Sequence, residues 1–303
     1  MKGLVIGYGS IGARHASVLE ELGVQVSFVT NRDDAPYHRF LSVQQAIDAV
    51  DFDLVIIANP TAKHYETLLT LISAGYRGKI LIEKPLFHQL LDLPKNCQHD
   101  IFVGYNLRFH PVLQQLKKHL CSYAAAAAIV QVGQYLPSWR PQRDYRKTYS
   151  ALKEAGGGVL RDLSHELDYV VWLLGACRKL TASGSNQSQL ELTSEDVYTI
   201  LMQCSRCPHV AISLDYLRPV PQRQFNVIAE NSIIEADLIQ QTICINGEKI
   251  EYNVSPNDTY RKQIEALISE DYESLCSLAE GYEVLRLIEQ IEYANQNMSW
   301  VIR

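Results

Sequence analysis

Three glycines at fixed spacing stand near the start of the chain, in the run Gly7-Tyr8-Gly9-Ser10-Ile11-Gly12. The apolar residues 3–7 predict a buried parallel strand before this run, and residues 10–22 predict a helix after it. In a turn of this kind the first glycine permits the tight bend and the second lets the backbone approach a pyrophosphate. The third lets the helix pack against the strand. We therefore predict that this run binds a dinucleotide, with its pyrophosphate on the amides at the helix N-terminus.

The residues after the second predicted strand, 24–30, bear on which dinucleotide is bound. An acidic side chain is expected at this place when the ribose 2′-hydroxyl of NAD is to be held. Asn31 and Arg32 stand there instead, and Arg32 lies 20 positions after Gly12, where a cation accommodates a 2′-phosphate. The sequence therefore favours NADP. NAD is the alternative, with Arg32 in solvent and Asp33 reaching the ribose.

A lysine with chemical potential follows the predicted strand 79–82 directly, in Glu83-Lys84-Pro85. This position is at the carboxyl edge of a parallel sheet, where doubly wound folds bind their ligands. Pro85 restricts Lys84 to an extended conformation. An ammonium group there can donate a proton or hydrogen bond to an oxygen that alternates between alcohol and carbonyl. Taken alone the tripeptide would be an exposed turn, but beside a dinucleotide it predicts a catalytic lysine.

The elements that must position these residues fall into two regions. Up to about residue 120, short apolar strands alternate with helices, which predicts a Rossmann-type α/β domain with a doubly wound parallel sheet. From about 125 to 253 the strands are longer and follow one another, with helices at 160–174, 258–268 and 274–295. This pattern predicts an α+β domain with an open, mostly antiparallel sheet. We predict an NAD(P)-binding domain over 1–120 and a substrate-binding and oligomerisation domain over 121–303.

Further motifs follow the glycine run in a fixed order. They are Asn59-Pro60-x-x-x-His64, Glu83-Lys84-Pro85, Gly104-Tyr105-Asn106-Leu107-Arg108-Phe109-His110-Pro111 and the glycine-rich stretch from Gly156 through Asp162 and His165 to Asp168. Taken together, these motifs resemble the glucose–fructose oxidoreductase / inositol dehydrogenase / MocA (Gfo/Idh/MocA) family. The match covers the N-terminal half and the first third of the second domain, and beyond about residue 180 it is architectural.

The resemblance implies substrates that are sugars, cyclitols or nucleotide-linked sugars, and hydride transfer between nicotinamide and a carbinol or carbonyl carbon. It implies Lys84 as the catalytic lysine, with Asp162 and His165 as the acidic and imidazole members of a substrate helix. We expect Asp162 to be catalytic as well, by orienting His165 or stabilising its imidazolium. We expect Asn59, Pro60, His64 and Glu83 on the cofactor side.

One spacing departs from the family pattern, because two residues rather than three separate Asp162 from His165. Positions i and i+3 still share a helix face, so we expect both side chains to reach one cleft, with His165 as the base. The alternative for His165 is a core or capping role. Asp168 is either a third member of this group or a charge on the helix face.

Further candidate substrate contacts lie in two segments. Trp139-Arg140-Pro141 and Asp144-Tyr145-Arg146 form an aromatic and cationic loop that can grip a phosphorylated or carboxylated sugar through arginine forks, or be an ordinary surface loop. Tyr105, Asn106 and Arg108, after the fifth predicted strand, are tentative substrate residues.

Composition excludes several classes of partner. The net charge of −6 and a pI near 5.9 argue against nucleic acid or an anionic membrane surface. The apolar stretches are too short to span a bilayer, and the first residues lack a signal-peptide layout, so we expect a cytoplasmic protein. Seven scattered cysteines suggest reduced thiols, and Cys204-x-x-Cys207 has no partner pair at zinc spacing, so no metal is expected.

Two other functions remain open at this point. One is a non-catalytic dinucleotide-binding sensor or regulator, although a sensor has no need for Lys84, Asp162 and His165 together. The other is a reductase of the same fold for a bilin or dihydrodiol.

Since helices are expected on one face of the second sheet only, Val210, Ile212 and Leu214 are expected on its uncovered face. We therefore predict a homodimer or homotetramer.

Overall fold

The computed structural model describes residues 1–93, 100–121 and 123–303, and over these residues the chain divides into two compact units. The first unit comprises Met1–Phe109 and Ser255–Leu285, and the second His110–Val254 and Arg286–Arg303. The predicted division at residue 120 differs in two places. The helix over Pro111–Leu120 belongs to the second unit, and the chain returns to the first from Ser255. Sequence proximity does not show which core a helix covers.

The strands, in chain order, are β1 (Lys2–Ile6), β2 (Gln25–Val29), β3 (His38–Phe40), β4 (Leu54–Ile57), β5 (Lys79–Ile82), β6 (Ile101–Val103), β7 (Ala125–Gly133), β8 (Cys177–Ser185), β9 (Val197–Cys204), β10 (Cys207–Asp215), β11 (Gln222–Ala229), β12 (Ser232–Asp237), β13 (Thr242–Ile245) and β14 (Glu248–Glu251), with short strands at Cys276–Ser277 and Val301–Ile302. The helices are α1 (Ser10–Glu21), α2 (Val43–Ala49), α3 (His64–Ser73), α4 (Pro111–Leu120), α5 (Val159–Asp162), α6 (His165–Leu174), α7 (Asp258–Ser269) and α8 (Leu278–Asn297).

The first unit contains a parallel sheet in the order β6-β5-β4-β1-β2-β3, with the short strand Cys276–Ser277 antiparallel beside β6. Strands β4 and β6 are continuous apolar runs in which every residue is buried, as expected for a parallel sheet covered on both faces. The chain order reverses at β1, which pairs with both β2 and β4. This confirms the Rossmann-type prediction and places the glycine turn at the point where such sheets bind ligands.

The second unit contains a mostly antiparallel sheet in the order β14-β13-β12-β11-β7-β10-β9-β8, with Val301–Ile302 at the β8 edge. The exception is β7, which runs parallel to β10. β7 begins at Ala125, so the alanine run is part of a strand. β8 was not predicted, because small and polar residues interrupt its alternation. The predicted fold class is confirmed.

The two faces of this second sheet differ in exposure. Ile200 on β9 is fully buried, whereas its neighbour Leu201 is 45% exposed. The expectation that Val210, Ile212 and Leu214 lie on the uncovered face is wrong, because all three are buried. Alternation distinguishes two faces but does not show which one the helices cover. The apolar residues of the open face are Ile129, Leu201, Ile228 and Ile233.

Two further expectations concern membrane-spanning helices and the cysteines. No helix in the described part of the chain is long and apolar enough to cross a membrane. Cys97 lies outside the described residues. Cys204 and Cys207 are buried free thiols opposite each other on β9 and β10, and burial raises the pKa of Cys204 to about 12. Such a thiol stays protonated and unreactive at neutral pH.

Candidate active site

The glycine turn joins β1 to α1, and its three glycines are used differently. Gly7 has φ +103°, and a Cβ there would lie 2.7 Å from the backbone of Asn59. A Cβ on Gly12 would collide with the carbonyl oxygen of Gly7. A Cβ on Gly9, by contrast, would meet nothing within 4 Å. The protein itself therefore requires the first and third glycines, while the second leaves open space.

The N-terminus of α1 faces this open space. Gly9 and Ser10 are exposed, Tyr8 and Ile11 are half-buried, and over the described residues no side chain caps the helix. The first turn also carries no acidic residue, so the positive end of the helix dipole is not neutralised locally. Exposed amides and a positive helix end are the groups that bind a pyrophosphate. The turn therefore fits a dinucleotide.

Arg32 lies beside the turn, at the end of β2. Its guanidinium donates hydrogen bonds to Asp34 at 2.9 and 2.5 Å and to the Tyr8 carbonyl oxygen at 3.4 Å. It is 5.2 Å from the centre of the Tyr8 ring. The hydrogen bond and charge of Asp34 raise the pKa of Arg32, so the cation is permanent but partly engaged. Asp33, the alternative ribose ligand, pairs instead with Arg39 at 2.6 Å, and Asn31 is exposed next to Arg32.

Asn59 follows β4 and presents an unused polar atom. Its amide nitrogen donates to Thr67 at 2.8 Å, while its side-chain oxygen is buried with no hydrogen-bond partner among the described residues. Buried polar atoms are nearly always paired, so an unpaired acceptor close to Gly7 suits a hydroxyl or amide of a bound ligand. The unpaired Asn59 oxygen and the open space at Gly9 are therefore two separate features that fit a bound dinucleotide.

His64 links the segment that follows β4 to the segment that follows β5. It lies after a turn that begins beyond Pro60. Its Nε2 lies 2.9 Å from the Asn59 carbonyl oxygen and its Nδ1 3.1 Å from the Leu86 carbonyl oxygen. Burial lowers the pKa of His64, so the ring is neutral near pH 7 and donates to one of the two carbonyl groups at a time. His64 therefore holds these two segments together, and its predicted contact with the cofactor stays a prediction.

Glu83 points away from solvent towards α1. Its Oε1 lies 2.6 Å from Nε2 of the fully buried His15, and its Oε2 accepts from the Lys84 backbone N–H at 3.3 Å. A Cβ on Gly104 would come within 3.0 Å of the same carboxylate. Glu83 thus holds the backbone of Lys84. Lys84 is itself half-buried, and the peptide bond between Lys84 and Pro85 is cis.

His15 was missed by sequence reasoning, although a signal was present. The buried positions of α1 are Gly12, His15, Ala16, Val18 and Leu19, so a titratable residue occupies the apolar stripe of the helix. A polar side chain on such a stripe requires a buried partner.

The segment after β6 is used inside the first unit. Asn106 donates to Thr259 at 2.7 Å, and Arg108 donates to Glu280 at 2.8 Å and to the Leu275 carbonyl oxygen at 3.3 Å. Tyr105 is buried with them. These bonds join the two chain segments of the unit, which favours a structural role over the predicted substrate contacts.

Asp162 lies in the second unit at the end of α5. The hydroxyl groups of Tyr149 and Tyr216 donate to its two carboxylate oxygens, Tyr216 at 2.6 Å. Although nearly half of Tyr149 is exposed, its hydroxyl end is enclosed, and burial together with the charge of Asp162 raises the pKa of both tyrosines well above 10. Neither tyrosine was predicted, because both lie far from Asp162 in sequence.

The predicted single helix over 160–174 is wrong. α5 ends at Asp162, Leu163 leaves helical geometry, and α6 begins at His165. Asp162 and His165 therefore do not share the face of one continuous helix. His165 is half-buried, and Asp168 in the same first turn is buried, so Asp168 is not a solvated surface charge.

In the predicted aromatic and cationic loop, some side chains fasten the loop and others line pockets. Arg146 donates to Asp144 at 2.8 and 3.1 Å and to Glu191 at 3.2 Å, and the Tyr145 hydroxyl oxygen accepts from the Glu191 backbone N–H. Arg146 and Tyr145 therefore fasten the loop. Trp139, Arg140 and Arg143 line one pocket beside the loop, and Arg140, Arg143 and Lys147 line a neighbouring one. Arg143 and Lys147 were not predicted.

Comparison with known protein families gives matches in both units, and both matches are to the same family. A model described as the oxidoreductase family with an NAD-binding Rossmann fold, GFO/IDH/MocA, matches residues 1–99, and the GFO/IDH/MocA C-terminal domain model matches residues 127–235. No curated protein sequence matches the chain significantly.

Solved structures share the fold at low sequence identity. Levoglucosan dehydrogenase in complex with NADH and levoglucosan has a TM-score of 0.87 at 16% identity, covering 100% of this chain and 99% of that one. A UDP-N-acetylglucosamine 3-dehydrogenase from Acidithiobacillus ferrooxidans has a TM-score of 0.78 at 20% identity, with 99% of each chain covered. An oxidoreductase from Agrobacterium radiobacter in complex with NAD+, L-tartaric acid and magnesium has a TM-score of 0.82 at 16% identity, covering 100% and 98%.

The unequal use of the glycines leads to a matched pair of variants. Gly9→Ala fills the open space without a clash, so it should leave the free energy of unfolding nearly unchanged and weaken dinucleotide binding by at least tenfold. Gly12→Ala forces α1 off the Gly7 carbonyl, so it should destabilise the protein by about 1–3 kcal/mol as an overpacked site does. Urea denaturation and dinucleotide titration measure the two effects. Unchanged dinucleotide affinity in a folded Gly9→Ala protein would contradict the assignment.

Proposed function

The chain belongs to the Gfo/Idh/MocA family of NAD-binding oxidoreductases, and on that basis we propose that it transfers a hydride between NADP(H) and a carbinol or carbonyl carbon of a sugar-type substrate. The nicotinamide supplies or accepts the hydride. The residues of this chain bind, orient and move the proton. The substrate class is a sugar, a cyclitol or a nucleotide-linked sugar, in keeping with the names of structural neighbours such as levoglucosan dehydrogenase.

One arrangement carries this proposal. The neighbouring strands β5, β4, β1 and β2 end in Lys84, Asn59, the glycine turn and Arg32, in that spatial order along one sheet edge. Three strand spacings separate the first from the last, roughly 14 Å, which suits a dinucleotide lying across the edge. Its pyrophosphate would lie on the glycine turn and its adenosine ribose at Arg32. The nicotinamide end would then lie near Lys84.

Proton movement is assigned to two side chains. In the oxidation of an alcohol, a neutral His165 takes the hydroxyl proton while the carbon-bound hydride leaves, so that the alcohol becomes a carbonyl. The role assigned to the Lys84 ammonium group is to donate a hydrogen bond to the substrate oxygen and tune the proton affinity of that oxygen. Asp162, held by Tyr149 and Tyr216, is a positioning residue of the segment that leads to His165.

Removing either catalytic side chain should lower turnover and leave binding intact. Lys84→Ala and His165→Ala should each reduce the rate of NADPH formation by roughly 10²–10⁴, the usual contribution of a positioned acid–base group. Absorbance at the reduced-nicotinamide band measures the rate with a panel of sugars and non-sugar carbonyl compounds. Lys262→Ala, an exposed lysine of the first unit, is the control. Near-full turnover of His165→Ala would remove this residue from the role of base.

The cofactor preference rests on Arg32. Since its guanidinium lies at the glycine turn, the protein should bind NADPH more tightly than NADH, and Arg32→Asp should reverse or erase this preference. Asp34 competes for the same guanidinium, so Asp34→Asn should increase the preference for NADPH. Fluorescence titration with both dinucleotides measures the affinities. Equal affinities in the parent protein would contradict the proposal.

We propose that the exposed face of the second sheet joins copies of the chain into a homodimer or homotetramer. Ile228 and Ile233 are directly opposite each other on β11 and β12, and both are exposed. Exposed apolar patches of this kind mark interfaces. Light scattering at micromolar concentration should give an oligomer, and Ile228→Arg with Ile233→Arg should shift it towards a monomer. A monomeric parent protein would refute this assembly.

A further inference from the structure

Cationic side chains are concentrated in one loop of the second unit. Arg140, Arg143, Arg146 and Lys147 lie within eight residues, in a chain whose formal net charge is −6. Arg146 is neutralised by Asp144 and Glu191. The other three cations have no ion-pair partner within the described residues, and all three are exposed.

These three cations converge on one pocket. Arg140, Arg143 and Lys147 line it together with Thr148 and Tyr149. The pocket also borders Asp144, whose carboxylate is engaged by Arg146 and whose pKa is lowered mainly by that hydrogen bond. The lining therefore carries an excess of positive charge that the loop itself does not satisfy. Such an excess attracts an anion.

A neighbouring pocket, which shares Arg140, Arg143, Thr148 and Tyr149 with the first, adds an unused hydrogen-bond donor. Trp139 packs edge-on against Tyr216, with 5.4 Å between ring centres, and its indole N–H is buried without an acceptor in the described part of the chain. Trp139 lines this neighbouring pocket together with Arg140 and Arg143. A buried donor among unpaired cations is suited to an oxygen of a bound anion.

The same pocket leads to the proposed catalytic segment. Tyr149 belongs to its lining, and the Tyr149 hydroxyl donates to Asp162. Tyr216, against which Trp139 packs, donates to the other oxygen of Asp162. An anion in the pocket would therefore lie on the substrate side of the second unit.

The loop is held in place without a ligand. The Arg143 backbone N–H donates to the Arg140 carbonyl oxygen at 2.9 Å, and the Lys147 N–H to the Asp144 carbonyl oxygen at 3.1 Å. Because Arg146 fastens the loop to Glu191, little ordering remains to be done when an anion binds. Preorganisation of this kind favours binding.

We propose that Arg140, Arg143 and Lys147 form a subsite for a phosphate group carried by the substrate, so that the sugar is a phosphate ester or a nucleoside-diphosphate sugar. This inference rests on the proposed hydride transfer for the identity of the ligand as substrate. Three cations and an indole N–H exceed what one carboxylate can satisfy. They match the several oxygens and greater charge of a phosphate or diphosphate.

A binding experiment tests the subsite independently of turnover. Inorganic pyrophosphate is titrated calorimetrically into the protein saturated with NADP, so that the glycine turn and Arg32 are already occupied. The parent protein should bind pyrophosphate, and Arg143→Gln with Lys147→Gln should weaken binding by roughly 10- to 100-fold, since each removes charged hydrogen bonds. The matched control, Lys118→Gln with Arg178→Gln, removes two exposed cations of the same unit and should bind as the parent does. Equal affinity in the subsite variant and the parent would overturn the proposal.

A kinetic experiment identifies the source of the phosphate. Glucose, glucuronate, glucose 6-phosphate and UDP-glucose are compared as substrates of the parent and of the Arg143→Gln/Lys147→Gln variant. The subsite predicts the lowest KM for a phosphate-bearing sugar, and a rise in that KM in the variant with kcat little changed. UDP-glucose and glucose 6-phosphate distinguish a diphosphate from a monoester. A KM for glucuronate as low as that for either phosphate ester, and equally sensitive to the variant, would contradict phosphate recognition.

The two experiments fail in distinguishable ways. If no sugar is turned over, hydride transfer to sugars is wrong, and the pyrophosphate titration still decides whether the phosphate subsite exists. If glucose is turned over but pyrophosphate does not bind the parent, the proposed function stands and the subsite does not.

Discussion

The packing of α1 onto the glycine turn is the contact on which the proposed active site depends. Since Gly12 has no side chain, α1 lies directly against the carbonyl of Gly7, with its positive end over the sheet edge. The same placement brings His15, three residues further along, against Glu83. Glu83 in turn holds the backbone of Lys84. One steric requirement thus orders both the dinucleotide-binding turn and the proposed catalytic lysine, although they are far apart in sequence.

Asp162 organises the second unit in a comparable way. Its two oxygens accept hydrogen bonds from the hydroxyl groups of Tyr149, which follows the cationic loop, and of Tyr216, just after β10. Neutral donors thus bind both oxygens of this carboxylate, while the three cations that line the pocket face solvent, where a ligand can reach them. The protein is acidic overall, yet it keeps this loop positive, and that contrast underlies the proposal of an anionic substrate.

Local patterns predicted much of this structure. The apolar runs of β1, β4 and β5 and the glycine spacing identified the Rossmann-type unit and the edge at which Lys84 lies. Long-range contacts could not be predicted in this way. Arg146 was expected either to grip the substrate or to belong to an ordinary surface loop, and its ion pair with Glu191, 45 positions away, is revealed by no local pattern. Likewise, alternation in β10 did not show that the helices cover Ile212, and spacing alone did not show the break between Asp162 and His165.

The central claim is that the protein moves a carbon-bound hydrogen from a sugar-type substrate to the nicotinamide, and isotope transfer tests it most directly. The protein is incubated with NADP and sugars or sugar phosphates deuterated at their ring carbons, and the recovered dinucleotide is analysed by mass spectrometry. The account predicts NADPH that has gained one deuterium from at least one of these compounds. Dinucleotide that is bound but recovered without deuterium from every one of them would contradict the account, and is the result expected of a non-catalytic sensor.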